Sequence, residues 1–374
     1  MNSTVPECVD SVICKCNFSF NNNSSFPPAV QFILPLWRQI FWCAFYAVMV
    51  ITAIGGNVIV IWIIWTNKRM RTVTNYFLLN LSVADTMVST FNVTFNFVYM
   101  LHATWPFGLV YCKITQFMAV STICASVFSL MAISIDRYMA IIVPLRRRMS
   151  KKCTLIVILW TWILGVVFAM PQLMFFRIDT IPCTDRISCY MVWPDGDTNN
   201  SKLEYIYNIS FIVFMYVMPI VAMIISYSQV AAELWWSKSI GEVTDRQMEI
   251  ITNKRKVVKM MIVVVTIFAV CWSPYQIYFL LTFYYPSITL APFIQEVYLL
   301  IYWLAMSNSM YNPIIYCWMN ARFRRGFKQV FSFLPFVTVD PSKSPSRSER
   351  IYTQESYYGR KLQRNNTLTT QMTF

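Results

Sequence analysis

Asp85 carries the most demanding chemistry in this chain, because it stands inside a long apolar run, Tyr76–Leu101. A carboxylate at membrane depth is energetically costly and defaults to a functional role. The plainer alternative is a protonated acid satisfied by its neighbours. Asn57, Ser126, Asn308 and Asn312 stand in other apolar runs and offer polar partners. With Asp85 they can hold a small cation with water, and the expected ion is sodium, an allosteric one, with no other metal or cofactor. A second constellation runs from Cys112 to Asp136-Arg137-Tyr138. As one helix it rises roughly 37 Å, against a bilayer core of about 30 Å. One tilted helix can therefore carry a thiol that anchors an outer loop and, at its other end, an acid–arginine pair that forms a switch. The chain has one histidine, His102, in a loop. No catalytic set is visible, and an enzyme is not expected.

These residues need long apolar elements to position them. Hydrophobic residues make up 57% and charged residues 13% of the chain, too apolar for a water-soluble domain of ordinary surface. Six further runs reach spanning length: Phe41–Trp65, Tyr76–Leu101, Leu155–Phe176, Tyr205–Ala232, Met260–Tyr285 and Val297–Met319. With the Cys112–Arg137 helix that makes seven. Buried helices of a soluble protein rarely run this long without charge. A transporter or channel would show several intramembrane charges or paired broken helices, and Asp85 alone fits neither. The expected fold class is an all-α membrane protein, a seven-helix transmembrane bundle.

Lysine and arginine set the expected orientation. One group of loops holds Lys68, Arg69 and Arg71; Arg146, Arg147, Arg148, Lys151 and Lys152; Lys254, Arg255, Lys256 and Lys259; and Arg322, Arg324, Arg325 and Lys328. The opposite loops hold only Lys113, Arg177, Arg186 and Lys202. Positive residues stay cytoplasmic, so the N-terminus is expected outside. The net charge of +14 reads as this signal plus attraction to anionic lipid, not to nucleic acid.

The flanks follow from that topology. Residues 1–36 form a polar tail without a signal-peptide pattern. Asn2, Asn17, Asn22 and Asn23 each begin an Asn-x-Ser/Thr acceptor there and are the expected glycosylation sites. Cys8, Cys14, Cys16, Cys112, Cys183 and Cys189 fall on the outer side, where disulfides persist. Cys112 needs a partner in the loop after the fourth span, which Cys189 or Cys183 can supply. Pro171, Pro219, Pro274 and Pro313 interrupt four spans and kink them. After the seventh span, Phe323, Phe327, Val330, Phe331 and Leu334 repeat at helical spacing opposite Arg322, Arg324, Arg325 and Lys328. That pattern predicts an amphipathic helix on the membrane surface over 320–335. The seven-span core is expected over 37–319, and 336–374 is a Ser/Thr-rich tail expected to be disordered.

The motifs in order resemble the rhodopsin-like (class A) G-protein-coupled receptors along nearly the whole chain. They are Gly56-Asn57-Val58, Leu81-Ser82-Val83-Ala84-Asp85, Asp136-Arg137-Tyr138, Trp162, Pro219 with Tyr227, Cys271-Trp272-Ser273-Pro274 and Asn312-Pro313-Ile314-Ile315-Tyr316. A narrower resemblance is to the tachykinin receptors. It rests on Lys254–Val265, on Phe293-Ile294-Gln295-Glu296-Val297-Tyr298, on Trp303–Ser307 and on Cys189-Tyr190-Met191-Val192-Trp193-Pro194. Trp105-Pro106-Phe107-Gly108, with Asp85 where vertebrate members carry Glu, looks more like the invertebrate tachykinin-related peptide receptors. A neighbouring neuropeptide-receptor family is the alternative.

The resemblance implies a function and its residues. It implies a plasma-membrane receptor for an amidated neuropeptide that activates a heterotrimeric G protein, of Gq type, leading to phospholipase C and calcium. Receptor kinases and arrestin would act on the tail. The Cys189 loop motif favours Cys189 as the partner of Cys112. The peptide would enter from outside with its amidated end deepest, at positions matching Asn92, Asn96, Thr115, Gln116, Gln172, Asn208, Gln276, Phe279 and Tyr302. Asn92 and Asn96 stand one helical turn apart and share a face, and their amides both donate and accept. The plainer reading of both is bonding between spans. Vertebrate members carry His where this chain has Thr115, Asn208 and Gln276, so their ligand preferences do not transfer. Invertebrate members bind peptides ending in Arg-amide, and Glu296, where vertebrate members carry Gln, is the acid expected to read that arginine. Trp272 before Pro274, with Asn312, Pro313 and Tyr316, would transmit binding inward. Arg137 would leave Asp136 and turn toward Tyr227 and the G protein. Lys254 stands where many class members place an acid, so no lock between Arg137 and the sixth span is expected.

Overall fold

A computed structural model describes residues 34–143, 149–181, 186–196, 201–236, 245–291 and 293–333. Seven long helical spans pack side by side. The first is Leu36–Thr66, the third Gly108–Ile142, the fourth Lys151–Phe175, the sixth Asp245–Tyr284 and the seventh Ile294–Met319. The second runs from Val73 to His102 and widens into a single π turn at Ser89–Val93. The fifth, from Lys202 to Trp236, does the same at Val213–Val217. A short helix, Ala321–Val330, follows the seventh span. The expected glycosylation sites and Cys8, Cys14, Cys16 and Cys183 lie outside the described residues.

Among the described residues, five spans are long and apolar enough to cross a membrane by length and composition alone. The second and seventh are the two that fall short. They are also the spans that bring Asn80, Asp85 and Asn92, and Ser307, Asn308, Ser309 and Asn312, into the interior. Their polar side chains must be buried against one another, because lipid offers no hydrogen-bond partner. The third span sits at the centre and packs on the second, fourth and fifth. The sixth helix begins at Asp245, well before the apolar run that starts at Met260. Its early turns are rich in Arg, Glu and Lys, good helix formers that need no apolar environment.

Side chains define several breaks and ends. The Thr94 hydroxyl reaches back five residues to the Ser89 carbonyl at 3.1 Å, supporting the wide turn that contains Asn92. Ser150 caps the fourth span by accepting the Cys153 N–H at 3.2 Å, and Asn320 caps the short helix by accepting from Arg322 at 3.0 Å. Ser201 caps the fifth span through Glu204 N–H at 2.9 Å. The Ser201 hydroxyl and the Leu203 N–H in turn hold the Asp195 carboxyl below the usual carboxylate range. Pro171, Pro274 and Pro313 lie inside helices. Pro219 is the second residue of the helical segment that follows the π turn of the fifth span.

Close approach depends on glycine at two crossings. A Cβ on Gly56 would lie 2.7 Å from Pro313 Cγ, and one on Gly165 would lie 2.7 Å from the Ser121 carbonyl oxygen. Small residues let helix backbones touch in membranes. Gly165→Val is expected to push the fourth span off the third, at about 1–3 kcal/mol for overpacking. Thermal unfolding of the detergent-solubilised protein checks this: the midpoint should fall for Gly165→Val and not for Gly55→Ala, where a Cβ meets nothing within 4 Å. Equal midpoints would remove the crossing as a stability determinant.

A two-stranded antiparallel hairpin covers one end of the bundle. Strand β1 (Phe176–Thr180) pairs with β2 (Ile187–Met191), with Ile178 opposite Cys189. A disulfide joins Cys112, near the start of the third span, to Cys189. Trp105 is fully buried beside it, and its backbone N–H donates to the Ile187 carbonyl at 2.8 Å. At the other end Phe323 and Phe327 bury one face of the short helix against the bundle, while Arg322, Arg324, Arg325 and Lys328 occupy the other.

Candidate functional site

Beneath the hairpin, the second and third spans bring amide side chains together. The Gln116 amide donates to Asn96 Oδ1 at 3.0 Å. Asn96 donates to the Asn92 carbonyl oxygen, and Asn92 contacts the Met306 sulfur at 3.9 Å. Each primary amide has two N–H donors and one acceptor, so the chain Gln116–Asn96–Asn92 retains unused capacity. Tyr302 of the seventh span is buried beside Asn96 and Asn92, and its hydroxyl meets no partner at full hydrogen-bond geometry among the described residues. Leaving such a group unpaired costs about 1–3 kcal/mol, a reason to expect a ligand group or water there.

Other expected ligand positions are scattered around this network. Gln172 donates to the Tyr207 hydroxyl at 2.9 Å, and that hydroxyl donates to the Phe168 carbonyl at 3.1 Å. Thr115 and Gln276 are buried. Phe279 packs at a tilt against Tyr275 with ring centroids 4.7 Å apart. Asn208 stands on the exposed side of the fifth span and does not join the network. Glu296, in the first turn of the seventh span, forms an ion pair with Arg38 in the first turn of the first span.

An aromatic column links this region to a second polar centre. Tyr275 lies 5.7 Å from Trp272, and Trp272 lies 6.3 Å from Phe268, by ring centroids. Trp272 and Phe268 line a small cavity of about 20 Å³ together with Asp85, Ser126, Asn308 and Ser309. That is room for one water-sized occupant. Asp85 accepts hydrogen bonds from Asn312 at 2.8 Å, Ser126 at 3.1 Å and Ser309 at 3.4 Å. This oxygen-rich set with a carboxylate suits a hard monovalent cation. Asn57 instead bonds the carbonyls of Ala53 and Ser309, both at 2.9 Å. Ser309 was not among the sequence candidates. Its spacing of three from Asn312 places both on one helical face, a signal that could have found it.

The far end of the bundle holds the acid–arginine pair. Arg137 Nη2 lies 2.6 Å from Asp136 Oδ2, and Thr74 donates to the same carboxylate oxygen at 2.7 Å. Arg137 also donates to the Thr74 hydroxyl. Tyr227 and Tyr316 are buried nearby, and the Tyr316 hydroxyl has no hydrogen-bond partner among the described residues. Lys254 is exposed. At this end Arg255 of the sixth span reaches the fifth, donating twice to the Leu234 carbonyl, at 2.9 and 2.6 Å. Its guanidinium lies 5.6 Å from the Trp235 ring centroid, and Lys259 approaches the same ring at 5.9 Å. Nothing in the sequence pattern pointed to Thr74, Trp235 or Arg38, whose partners lie on other spans.

Comparison with known proteins places this geometry. Residues 56–316 match the family described as 7 transmembrane receptor (rhodopsin family). The chain is 55% identical over 343 residues to the Tachykinin-like peptides receptor 99D of Drosophila melanogaster, an alignment that covers 90% of this chain and 66% of that protein. It is 45% identical over 332 residues to the Neuromedin-K receptor of Oryctolagus cuniculus, covering 86% of this chain and 70% of the relative. Over 342 residues it is 44% identical to the Substance-P receptor of Homo sapiens, covering 91% and 83%.

Proposed function

The chain belongs to the rhodopsin family of seven-transmembrane receptors, within its tachykinin-receptor branch, and from that premise we propose that it binds an amidated tachykinin-type neuropeptide and activates a heterotrimeric G protein. Membership makes it a multi-pass protein of the plasma membrane and not an enzyme. The hairpin end faces outside and the Arg137 end faces the cytoplasm, in keeping with the distribution of Lys and Arg. The N-terminal tail is then extracellular and glycosylated at some of Asn2, Asn17, Asn22 and Asn23.

One observation carries the ligand reading: the Gln116–Asn96–Asn92 amide chain beside the buried Tyr302 hydroxyl. A peptide's terminal amide is neutral and both donates and accepts, so it matches groups that do the same. Thr115, Gln172, Gln276 and Phe279 line the peptide's approach, while Asn208, exposed on the fifth span, takes no part in reading the terminal amide. Glu296 reads an arginine next to the terminal amide.

Activation then follows the column. A ligand seated on Tyr302 and the amides favours a different packing of Trp272 over the Pro274 kink, with Asn312, Pro313 and Tyr316 below it. A ligand shifts such an equilibrium only through differential affinity for the two states. The Arg137–Asp136–Thr74 cluster is the resting arrangement; in the active one Arg137 turns toward Tyr227 and the G protein, of Gq type. Receptor kinases and arrestin act on the 336–374 tail, and the basic face of the Ala321–Val330 helix lies on anionic lipid.

The test is calcium release in cells expressing the chain, challenged with tachykinin-type peptides ending in Arg-amide or Met-amide, their free-acid forms, and unrelated amidated peptides. Response to the tachykinin-type amides is expected. Response only to an unrelated peptide would overturn the assignment.

Asp85, Ser126, Asn308 and Asn312, with Ser309, are the residues that would hold sodium, whose charge would offset the buried carboxylate in the resting state. Agonist affinity should fall as sodium replaces a bulky organic cation at fixed ionic strength. Asp85→Asn should erase that dependence, measured by radioligand binding on membranes. A variant that keeps the full sodium response would sink the assignment.

A further inference from the structure

Glu296, the acid assigned above to the ligand's arginine, already holds a guanidinium of its own chain. Its partner Arg38 is the third residue of the first span, as Glu296 is of the seventh. Both positions are fixed by neighbours. Gln39 donates to the Leu34 carbonyl at 2.7 Å, which shapes the entry to the first span. Gln295 donates to the Met100 carbonyl at 2.9 Å and seats the first turn of the seventh. The Arg38 guanidinium also lies 5.0 Å from the Trp37 ring centroid, a resting place for its planar face if the carboxylate is taken from it. The two side chains of the pair are 42% and 36% exposed. An ion pair this accessible is weak and exchanges readily.

We propose that Arg38 is a specificity-determining residue, an internal competitor that occupies the Glu296 carboxylate and yields it only to an incoming guanidinium. The proposal rests on the reading that Glu296 receives a cationic ligand side chain. Its physical content is an exchange of like for like. Without Arg38, Glu296 would attract any cation at the mouth of the bundle. With Arg38 in place, the carboxylate is already neutralised, through one contact from Arg38 Nη1 to Glu296 Oε1. A ligand gains there only if its own group makes a two-pronged contact, as a guanidinium does and a solitary ammonium does not. Arg38 thus lowers affinity for basic peptides in general and leaves the arginine-ended one the least penalised.

Binding to the full-length receptor in membranes tests this with four receptors: wild type, Arg38→Gln, Glu296→Gln and the double variant. Each is measured with a tachykinin-type peptide ending in Arg-amide and with its Lys-amide and Met-amide counterparts. Glu296→Gln should weaken the Arg-ended peptide by about ten- to a hundred-fold and leave the Met-ended one unchanged. Arg38→Gln should strengthen the Arg-ended peptide by about two- to five-fold, strengthen the Lys-ended one by more, and leave the Met-ended one unchanged. In the Glu296→Gln background, Arg38→Gln should do nothing further. Arg38→Met, which keeps an apolar stem over Trp37, should behave as Arg38→Gln does if lost charge is the cause. If Glu296→Gln discriminates among the peptides but Arg38→Gln leaves the basic ones unchanged or weaker, the competitor role is overturned while the Glu296 assignment stands. If Glu296→Gln weakens all three peptides alike, the Glu296 assignment itself fails.

Discussion

Cys189→Ala abolishes peptide binding at the cell surface, whereas Cys183→Ala retains part of it: this is the expected result of removing the clamp over the bundle. The Cys112–Cys189 bond holds the middle of strand β2 against the start of the third span, with a Cα separation of 6.0 Å. Trp105 is buried in the same cluster, and its indole donates to the Gly108 carbonyl at 2.9 Å. Thr104 accepts from Ile187 N–H at 3.1 Å. The loop before the third span, the disulfide and the hairpin therefore form one piece. Losing a native disulfide from a small secreted domain typically costs about 2–5 kcal/mol. Here the clamp sits one helical turn from Gln116 on the third span, so its release is expected to disorder the outer end of the amide network. Surface binding of a labelled peptide, with receptor number measured by an epitope tag, reads the effect. Peptide mapping that found Cys112 bonded to Cys183 would show that the clamp is a different one.

Much of this architecture was legible because membrane solvation imposes simple patterns. Apolar runs marked all seven spans, and Asp85 stood out because a carboxylate there demands partners. The cysteine pairing was not legible from spacing alone, since Cys183 and Cys189 lie in the same loop; the Cys189–Pro194 motif distinguished them. Features set by backbone geometry were hidden. The π turn that turns Asn92 toward Met306 depends on where the second span must widen, and a Thr at position 94 is an ordinary residue in many helices. Contacts between distant spans were hidden for a different reason. Arg38 and Glu296 are 258 residues apart, and either one alone reads as a solvated charge. Arg255 was assigned to the positive-inside signal, yet in the structure its guanidinium caps the carbonyl end of the fifth span and joins it to the sixth. A helix C-terminus attracts a cation, so one residue serves both topology and packing.

Asn96 is the residue whose loss should most directly remove selectivity for an amidated peptide. It is the middle member of the amide chain, accepting from Gln116 and donating to Asn92. Asn96→Ala leaves the Gln116 donor and the Asn92 acceptor without that partner. Hydrogen-bonding capacity left unmet in a buried site costs about 1–3 kcal/mol, which corresponds to roughly a ten- to hundred-fold loss of affinity. The loss should fall on the amidated peptide and not on its free-acid form, because a carboxylate lacks the N–H donors that the network is built to receive. Wild type should therefore separate amide from acid strongly, and Asn96→Ala should narrow that gap by about the same factor. Asn208→Ala is the control: its side chain is exposed and outside the network, so the gap should persist. The competing role for Asn96 is bonding between the second and third spans, which in membranes is worth about 0.6 kcal/mol on average. That role predicts a lower melting midpoint and equal weakening of amide and acid. Competition binding with the two peptide forms, beside thermal unfolding of each variant, separates the two roles. Equal weakening of both peptides would make Asn96 a structural residue and move the recognition of the terminal amide to Gln116 and Tyr302.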